Sequence, residues 1–374
     1  MKSVRLRLIF AGILTMAAAS FAFSGEGADA ARKGTVQHIK IHGKALEGNL
    51  EGETADPDVT IYLPPTYETS RKTRYPVIYL LHGYSGTDAT WTGRIANVPD
   101  AMDRDIEAKT TREMIVVMPN AYTKYGGSMY SNSVTTGDWE SYIAEDLVSY
   151  MDKNYRTIPD RMSRGIAGHS MGGYGAVRIA MKRPDVFSSL YILSACCLMN
   201  NPGVGGNRGG NGGGNRGAAP RGEEPRGDAP QGNSDDATRG AGNRRGGRGG
   251  AFANVQFAEA AAWSPNPGNP PNYFDIPTKD GQPQPLIVAK WIANSPLVML
   301  DQYVGNLKKL HAIAGDVGTS DGLMASNKQL EEAFTNFGVN HKFETYDGDH
   351  TNHVKDRIEG SVFPFFSQNL SFKK

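Results

Sequence analysis

The chain has 374 residues, of which 39% are hydrophobic and 21% charged, and its 40 Lys and Arg nearly balance its 39 Asp and Glu. The formal net charge of +1 excludes a nucleic-acid binder driven by bulk charge and an acidic disordered chain. Glycine is concentrated in one place, because 18 of the 45 glycines fall in residues 201–250. The composition therefore predicts a globular protein that carries an insert of different, glycine-rich composition.

The first thirty residues have the pattern of a secretory signal peptide. Lys2, Arg5 and Arg7 form a basic start, and residues 8–23 are an uncharged apolar run. Residues 28–30 read Ala-Asp-Ala, which is a small-x-small cleavage site. The alternative is an uncleaved membrane anchor, but the run has 16 residues where a spanning helix needs ~20. We therefore predict export to the periplasm or outside the cell, with no membrane span after cleavage.

Apolar strands and amphipathic helices alternate after the signal segment. Predicted strands cover residues 36–41, 59–63, 76–81, 114–118, 164–167, 188–194, 310–314 and 341–346, the first two at an antiparallel edge. Predicted helices cover residues 100–110, 138–154, 171–183, 327–337 and 354–370. This alternation is typical of a mostly parallel sheet with helices on both faces. In such sheets the chemistry lies beyond the carboxyl ends of the strands.

Residues 201–250 interrupt the alternation. The tract holds 8 Arg, no Lys and almost nothing apolar, so we predict that it is disordered. RNA binding is the alternative, but five acidic residues dilute its charge and no aromatic residue is interleaved for base stacking. We therefore expect no nucleic-acid partner. Residues 252–291, rich in Pro and Asn, are expected to fold over the strand ends as a cap.

The predicted organisation is a signal peptide at residues 1–30 and a single domain at residues 31–374, interrupted by the tract at 201–250. The two cysteines of the chain, Cys196 and Cys197, are neighbours. Adjacent cysteines have poor geometry for an ordinary disulfide and supply no framework of bridges. The fold must therefore depend on its hydrophobic core.

Residues 168–172 read Gly-His-Ser-Met-Gly and match the G-x-S-x-G nucleophile elbow. Small residues on both sides of Ser170 permit a strained turn that lifts the hydroxyl above the sheet. A Gly-rich structural turn is the alternative. However, the predicted strand at 164–167 leads into the motif and the predicted helix at 171–183 leads out of it, as an elbow requires. We therefore predict that Ser170 is a nucleophile.

A serine nucleophile needs a histidine base, and in this fold the base comes last along the chain. His311 and His341 lie at the beginnings of predicted strands, which is the wrong end of the sheet. His350 and His353 lie in the loop after the last strand, at the right end. Position alone leaves both of these open.

A carboxylate must orient that base. It is expected in the loop after the strand at 310–314, where Asp316 and Asp321 are both candidates. The residue that is not the catalytic acid has the ordinary role of a turn aspartate.

Ester chemistry also needs an oxyanion hole, made of backbone N–H groups that face the developing negative charge. One donor is expected from Met171, which follows the nucleophile. The other is expected from Tyr84, in the loop after the strand at 76–81. His82 in the same loop is expected to be a buried structural residue.

Together these motifs resemble the esterase D-like branch of the α/β-hydrolases, which includes S-formylglutathione hydrolases, bacterial feruloyl and acetyl-xylan esterases, and mycolyltransferases. The segments that match the family are residues 75–83, Trp91, and residues 128–133, 168–175, 315–321 and 348–350. The resemblance covers nearly all of residues 55–200 and 295–370. It implies an α/β-hydrolase fold whose cap region carries the Gly/Arg-rich tract.

The resemblance also implies roles for individual residues. The family's nucleophile falls on Ser170, its acid on Asp321 in a Gly-Thr-x-Asp turn, and its base on His350 in a Gly-x-His loop. The backbone donors fall on Tyr84 and Met171. Neither a metal nor an organic cofactor is implied.

Motifs and resemblance predict an exported serine carboxylic-ester hydrolase that works through an acyl-enzyme, with carbohydrate-linked acetyl or feruloyl esters as candidate substrates. The ester could be a small molecule or part of a polysaccharide. Acyl transfer to a sugar or polyol, as in mycolyltransferases, is one alternative, and a non-catalytic binding protein on a hydrolase scaffold is another. Tyr130, Asn132 and Trp139 are candidates to line a sugar or aromatic acyl site, with packing as their ordinary role.

Overall fold

The structure is a computed structural model, and it describes residues 33–93, 95–199 and 254–373. The predicted signal peptide at residues 1–30 and the predicted disordered tract at residues 201–250 lie outside the described residues. Among the residues that are described, no helix is both long enough and apolar enough to cross a membrane.

The described residues form twelve strands, eight of which make up a sheet at the centre of the fold. The strands are β1 (Thr35–Lys40), β2 (Asp58–Leu63), β3 (Val77–Leu81), β4 (Ile115–Pro119), β5 (Asn132–Ser133), β6 (Gly137–Asp138), β7 (Arg164–His169), β8 (Ser189–Leu193), β9 (Thr278–Lys279), β10 (Gln282–Pro283), β11 (Ala312–Gly318) and β12 (Lys342–Tyr346). The central sheet has the order β1-β2-β4-β3-β7-β8-β11-β12, while β5 with β6 and β9 with β10 form short hairpins. β2 pairs antiparallel with β1 and with β4, and the other neighbours pair in parallel. The predicted mostly parallel sheet with an antiparallel edge is confirmed.

Helices connect the parallel strands. They are α1 (Val98–Glu107), α2 (Trp139–Ser141), α3 (Leu147–Asn154), α4 (Met171–Lys182), α5 (Val255–Trp263), α6 (Pro285–Ala293), α7 (Pro296–Leu307), α8 (Met324–Asn336), α9 (Val354–Arg357) and α10 (Phe363–Asn369). π-helical turns at Tyr142–Asp146 and Ile358–Val362 join α2 to α3 and α9 to α10. The five predicted helices are present with shifted ends. The helix α7 was not predicted from the sequence; it begins at a proline and buries Met299 and Leu300.

The apolar runs that predicted the inner strands are buried on both faces of the sheet. Every residue of β3 is buried, and so is every residue of β4. Side chains along a strand point alternately to opposite faces. Accordingly, Tyr79 and Leu81 belong to one core cluster, whereas Ile78 and Leu80 belong to the other. Two hydrophobic cores, one on each face, therefore hold the sheet rigid beneath the loops at its carboxyl edge.

The described part of the predicted cap, residues 254–291, contains α5, the β9–β10 hairpin and α6. The ring of Trp263 at the end of α5 lies 5.6 Å from the ring of Tyr174, in the first turns of α4. Trp263 also meets Trp291 of α6 edge to face, with ring centroids 5.4 Å apart. The cap segment therefore packs beside the helix that follows Ser170.

Candidate active site

The nucleophile elbow is a strained turn between β7 and α4. Ser170 has φ +58° and ψ −116°, a conformation that is costly for a residue with a side chain. A Cβ added to Gly168 would lie 2.3 Å from the backbone of Gly172, and one added to Gly172 would lie 2.0 Å from the carbonyl oxygen of Leu81. Only glycine fits at these two positions, so the G-x-S-x-G spacing follows from the crowding of β7, α4 and β3.

The structure brings Ser170, His350 and Asp321 into one hydrogen-bonded chain. The Oγ atom of Ser170 lies 2.9 Å from Nε2 of His350, and Nδ1 of His350 lies 2.8 Å from Oδ2 of Asp321. The Asp321 side chain is 1% exposed and that of His350 is 31% exposed. This arrangement lets the imidazole accept the serine proton at one nitrogen while a buried carboxylate holds the other.

The carboxylate of Asp321 is kept ionised despite its burial. Burial disfavours the charged form, but hydrogen bonds from His350 and from the backbone N–H of Leu323 outweigh it. The result is a pKa for Asp321 below the ordinary value of 3.8. A negative charge is therefore in place to stabilise an imidazolium at His350.

The other two candidates from the sequence lie elsewhere. The side chain of His353 is 41% exposed, and its Nδ1 is 2.7 Å from Oδ2 of Asp356, three residues further along. Asp316 is fully buried, accepts a hydrogen bond from Tyr191 and pairs with Arg357 across 2.8 Å. Both groups have partners away from Ser170, so the geometry favours His350 and Asp321.

The two predicted oxyanion donors belong to chain segments that adjoin Ser170. The N–H of Met171 is in the first turn of α4, where helical N–H groups have no intrahelical acceptor. Beside it, a Cβ added to Gly83 would lie 3.3 Å from Cβ of Ser170, so the loop that carries Tyr84 passes directly over the nucleophile. The positive end of α4 adds to the field that an oxyanion would meet.

His82 is buried at the root of that loop. Its Nε2 accepts a hydrogen bond from the N–H of Ala121, which leaves Nδ1 to donate to the carbonyl oxygen of Gly83. Burial lowers the pKa of His82 to about 4, so the ring is neutral in its structural role. The hydroxyl of Tyr130 supports the same loop by donating to the carbonyl oxygen of His82.

Of the three candidates for lining a substrate site, two are packed inside the protein. Tyr130 and Trp139 are buried, and the indole N–H of Trp139 donates to the carbonyl oxygen of Thr136. Asn132 is exposed, and its side chain donates to Asp138. Their ordinary roles, packing and loop hydrogen bonding, therefore describe them.

His169, which occupies the first x position of the G-x-S-x-G motif, contacts the loop of His350, and this contact was not predicted from the sequence. Its Nε2 donates to the carbonyl oxygen of His350 across 2.7 Å, and the two rings lie 4.6 Å apart. Burial, with help from the nearby His350, lowers the pKa of His169 to about 3, so this ring is neutral. The motif gave no signal for this role, because any residue satisfies the x of G-x-S-x-G.

A glycine pair that was not predicted, Gly126 and Gly127, lies against both residues proposed for the oxyanion hole. A Cβ added to Gly126 would lie 2.8 Å from the phenol ring of Tyr84, and one added to Gly127 would lie 2.4 Å from Sδ of Met171. The hydroxyl of Tyr84 donates to the carbonyl oxygen of Tyr125 in the same loop. The adjacent glycines in the sequence are the only signal that could have suggested such a close approach.

A cavity of about 240 Å³ adjoins Tyr84. It is lined by Tyr84, Ser85, Tyr122, Lys124, Tyr125, Gly126 and Asn254. Among the described residues, no group of three or more His, Cys, Asp or Glu is arranged to hold a metal ion. A ligand in this cavity, beside the proposed oxyanion loop, would meet the phenol rings of its three tyrosines and Lys124, which pairs with Glu51.

Comparison with protein families gives one match across most of the chain. A family model named Esterase, and described as "Putative esterase", matches residues 54–354. This span includes every residue of the hydrogen-bonded chain and both proposed oxyanion donors.

Individual proteins are similar over shorter stretches. Esterase Rv1288 of Mycobacterium tuberculosis is 36% identical over 141 residues, which is 36% of this chain and 28% of that protein. An endo-1,4-beta-xylanase/feruloyl esterase of Xylanibacter ruminicola is 32% identical over 142 residues, which is 36% of this chain and 19% of that protein. The chain thus spans less than a third of these two relatives.

Among solved structures, a ferulic acid esterase superposes with a TM-score of 0.60 and 22% sequence identity. The match covers 91% of this chain and 99% of that structure. At this identity the comparison bears on the fold, and it agrees with an α/β-hydrolase architecture.

Proposed function

The chain belongs to the Esterase family, and we propose that it is an exported serine carboxylic-ester hydrolase with Ser170, His350 and Asp321 as its catalytic triad. The observation that carries this proposal is the hydrogen-bonded chain of 2.9 Å and 2.8 Å that links the three side chains. Family membership supports the reaction class, and the geometry supports these residues.

Acylation begins when Oγ of Ser170 attacks the ester carbonyl while Nε2 of His350 takes its proton. Asp321 stabilises the imidazolium that forms. The oxyanion of the tetrahedral intermediate accepts hydrogen bonds from the N–H groups of Tyr84 and Met171. As the intermediate collapses, His350 returns the proton to the leaving alcohol, and an acyl-serine remains.

Deacylation repeats these steps with water as the nucleophile. His350 removes a proton from the water that attacks the acyl-enzyme, and then returns it to Oγ of Ser170 as the carboxylic acid leaves. Three side chains and two backbone donors handle every proton and charge in the cycle. The proposed chemistry therefore needs neither a metal nor an organic cofactor.

For the substrate we propose a carbohydrate-linked acetyl or feruloyl ester. Similar proteins are named feruloyl or ferulic acid esterases. The cavity beside Tyr84 has Tyr122 and Tyr125 among its walls and can stack one aromatic ring or one sugar. The signal-peptide pattern of residues 1–30 supports export, which would give the enzyme access to polysaccharides outside the cell.

The first experiment compares the purified chain with its Ser170→Ala variant on acetyl and longer p-nitrophenyl esters and on methyl ferulate. We expect kcat to fall by about 10⁴–10⁶-fold in the variant, since removing a serine nucleophile from a triad costs this much. Circular dichroism and thermal melting of both proteins establish that the variant is folded.

Full activity in the Ser170→Ala variant would show that another nucleophile is responsible. If the folded wild-type chain releases no acid from any ester, a sugar or polyol acceptor is added and acyl transfer is measured by product analysis. Transfer without hydrolysis supports an acyltransferase with the same triad. Neither reaction, with ligand binding retained, supports the binding-scaffold alternative.

A further inference from the structure

The only two cysteines of the chain follow β8 and lie in the loop beside the nucleophile elbow. Cys196 and Cys197 are partly exposed residues with free thiols, and their Sγ atoms are 2.7 Å apart. A disulfide has an S–S distance of ~2.05 Å, so a small movement of either side chain would bring the sulfurs within bonding distance. The proposed mechanism uses neither thiol.

The loop that carries the cysteines is tied to the catalytic residues through its backbone. The N–H of Cys196 donates to the carbonyl oxygen of Ser170 across 3.1 Å. The N–H and carbonyl of Ala195 bond to the side chain of Asn327 in α8, at 3.0 Å and 2.9 Å. A Cβ added to Gly173 in the first turn of α4 would lie 3.0 Å from Ala195. Movement of this loop therefore reaches the turn that holds Ser170 and the N–H of Met171.

The second cysteine links the loop to the cap segment. Cys197 has φ +58°, a left-handed conformation that is unusual for a residue with a side chain. Its thiol lies 3.7 Å from Oε1 of Glu259 in α5, within reach of a weak S–H···O hydrogen bond. The contact with Cys196, burial and Glu259 raise the pKa of the Cys197 thiol, which keeps its proton available to Glu259.

We propose that Cys196 and Cys197 form a reversible vicinal disulfide, and that the active site responds to its formation. The oxidant is a low-molecular-weight disulfide. Deprotonated Cys196 attacks one of its sulfurs and releases the first thiolate, giving a mixed disulfide. Cys197 then gives its proton to the neighbouring carboxylate of Glu259 and attacks the sulfur of Cys196, which closes the ring and releases the second thiolate. Two protein thiols and one external disulfide thus become one protein disulfide and two external thiols.

Such a bond is suited to reversal rather than to permanent stabilisation. Neighbouring Cα atoms are ~3.8 Å apart across a trans peptide. Ordinary disulfides span Cα separations of ~4.4–6.8 Å, and those outside this range are strained and more easily reduced. Oxidation also removes the S–H group that Cys197 offers to Glu259. The strain of the ring and the loss of this S–H group both act on the loop that is hydrogen-bonded to Ser170. We therefore expect the chemical step to become slower.

The test treats the purified chain with oxidised glutathione, and then with dithiothreitol. We expect the titratable thiols to fall from two to none, the intact mass to decrease by two hydrogen atoms, and the protein to stay monomeric on a non-reducing gel. We expect kcat for ester hydrolysis to fall roughly fivefold or more. This decrease should be smaller than the decrease in kcat that follows removal of an oxyanion-hole donor. Reduction should restore both the thiols and the rate.

The matched control is the Cys196→Ser/Cys197→Ser double variant, which keeps side-chain size and a hydroxyl donor near Glu259. Its rate should not respond to the oxidant. If it fails to fold, Cys197→Ser alone serves, because one thiol cannot close the ring. Stable glutathione adducts, dimers linked by a disulfide, or unreacted thiols would each refute the site. Closure of the ring without a change in kcat would refute its link to the active site, which rests on the proposed esterase function.

Discussion

The proposed nucleophile and its proposed acid–base partners are held in place in two different ways. Backbone crowding fixes the elbow at residues 168–172, because its two glycines would clash with neighbouring backbone at 2.3 Å or less if either carried a Cβ. The acid–base loops are fixed by contacts between distant segments, which include a close approach of Gly318 to the backbone of Gly348 and several hydrogen bonds. The N–H of Thr319 donates to the carbonyl oxygen of Tyr346, and the N–H of Ser320 donates to that of Gly348.

This difference separates positioning by the shape of one short segment from positioning by contacts between segments that are distant along the chain. The elbow is a consequence of five consecutive residues and cannot relax without moving β3, β7 and α4. The acid–base loops are joined by the hydrogen bond between Asp321 and His350, which are 29 positions apart. Loss of this one hydrogen bond would leave the central sheet folded. Substitutions in the loops should therefore affect chemistry first, and substitutions in the elbow should affect folding first.

The largest effect is expected for His350→Ala. We predict a loss of about 10⁴–10⁶-fold in kcat, because the general base of the triad is removed while the fold keeps its cores. The matched control is His353→Ala, which removes a partly exposed imidazole that pairs with Asp356 and should change kcat by less than about twofold. Equal losses in the two variants would reopen the choice between these histidines. The measurement is ester hydrolysis at saturating substrate.

Next in size is Asp321→Asn, for which we predict a loss of about 10³–10⁴-fold in kcat. An amide cannot stabilise the imidazolium of His350, and it can favour the wrong tautomer. Asp356→Asn alters the other Asp–His pair, at His353, and should leave kcat within about twofold. A mild Asp321→Asn phenotype would mean that Asp321 only shapes its loop.

The elbow is tested by Gly172→Ala. The added Cβ would meet the carbonyl oxygen of Leu81 at 2.0 Å, so backbone must move. We expect the free energy of unfolding to fall by about 3 kcal/mol, at the upper end for overpacked sites. Gly305→Ala in α7 is the control, since its Cβ would meet nothing within 4 Å and alanine favours helix by about 0.5–1 kcal/mol. Urea denaturation compares them, and a Gly172→Ala variant as stable as wild type would contradict positioning by shape.

The same difference explains what could be predicted from the sequence. Continuous apolar strands, the order of elements and the elbow are local patterns, and they predicted the sheet and the place of Ser170. The choices of Asp321 over Asp316 and of His350 over His353 came from resemblance alone. In the structure these choices depend on partners far along the chain, such as Arg357 for Asp316, and no local pattern encodes them.

The roles of His169 and of the glycines at 126 and 127 were not predicted. Each depends on a close approach between loops whose relative position follows from the packing of whole strands. A single sequence contains the residues but not the distances between them. The cavity beside Tyr84 is similarly assembled from loops after β3 and β4 and from the start of α5.

The smallest effect joins the two regions, because His169 lies in the elbow and bonds to the base loop. His169→Phe keeps a ring but removes the donor to the carbonyl oxygen of His350, so we expect about a tenfold loss in kcat, typical of one buried hydrogen bond. His341→Phe removes a similar bond, from Nδ1 to the carbonyl oxygen of Val339, outside the site. It should lose stability without losing kcat, and equal kcat values in the two variants would refute a positioning role for His169.

The lowered pKa of His169 also predicts how the stability of the fold changes at acidic pH. Its pKa falls from 6.5 to about 3 in the folded chain, chiefly through burial. Between these values the unfolded chain binds a proton that the folded chain does not, so stability is full above pH 6.5 and declines as the pH falls toward 3. His169→Phe removes this proton uptake, and its free energy of unfolding should therefore fall less steeply over that pH range than that of the wild type. Urea denaturation at several pH values measures both slopes, and identical slopes would show that His169 titrates normally in the folded protein.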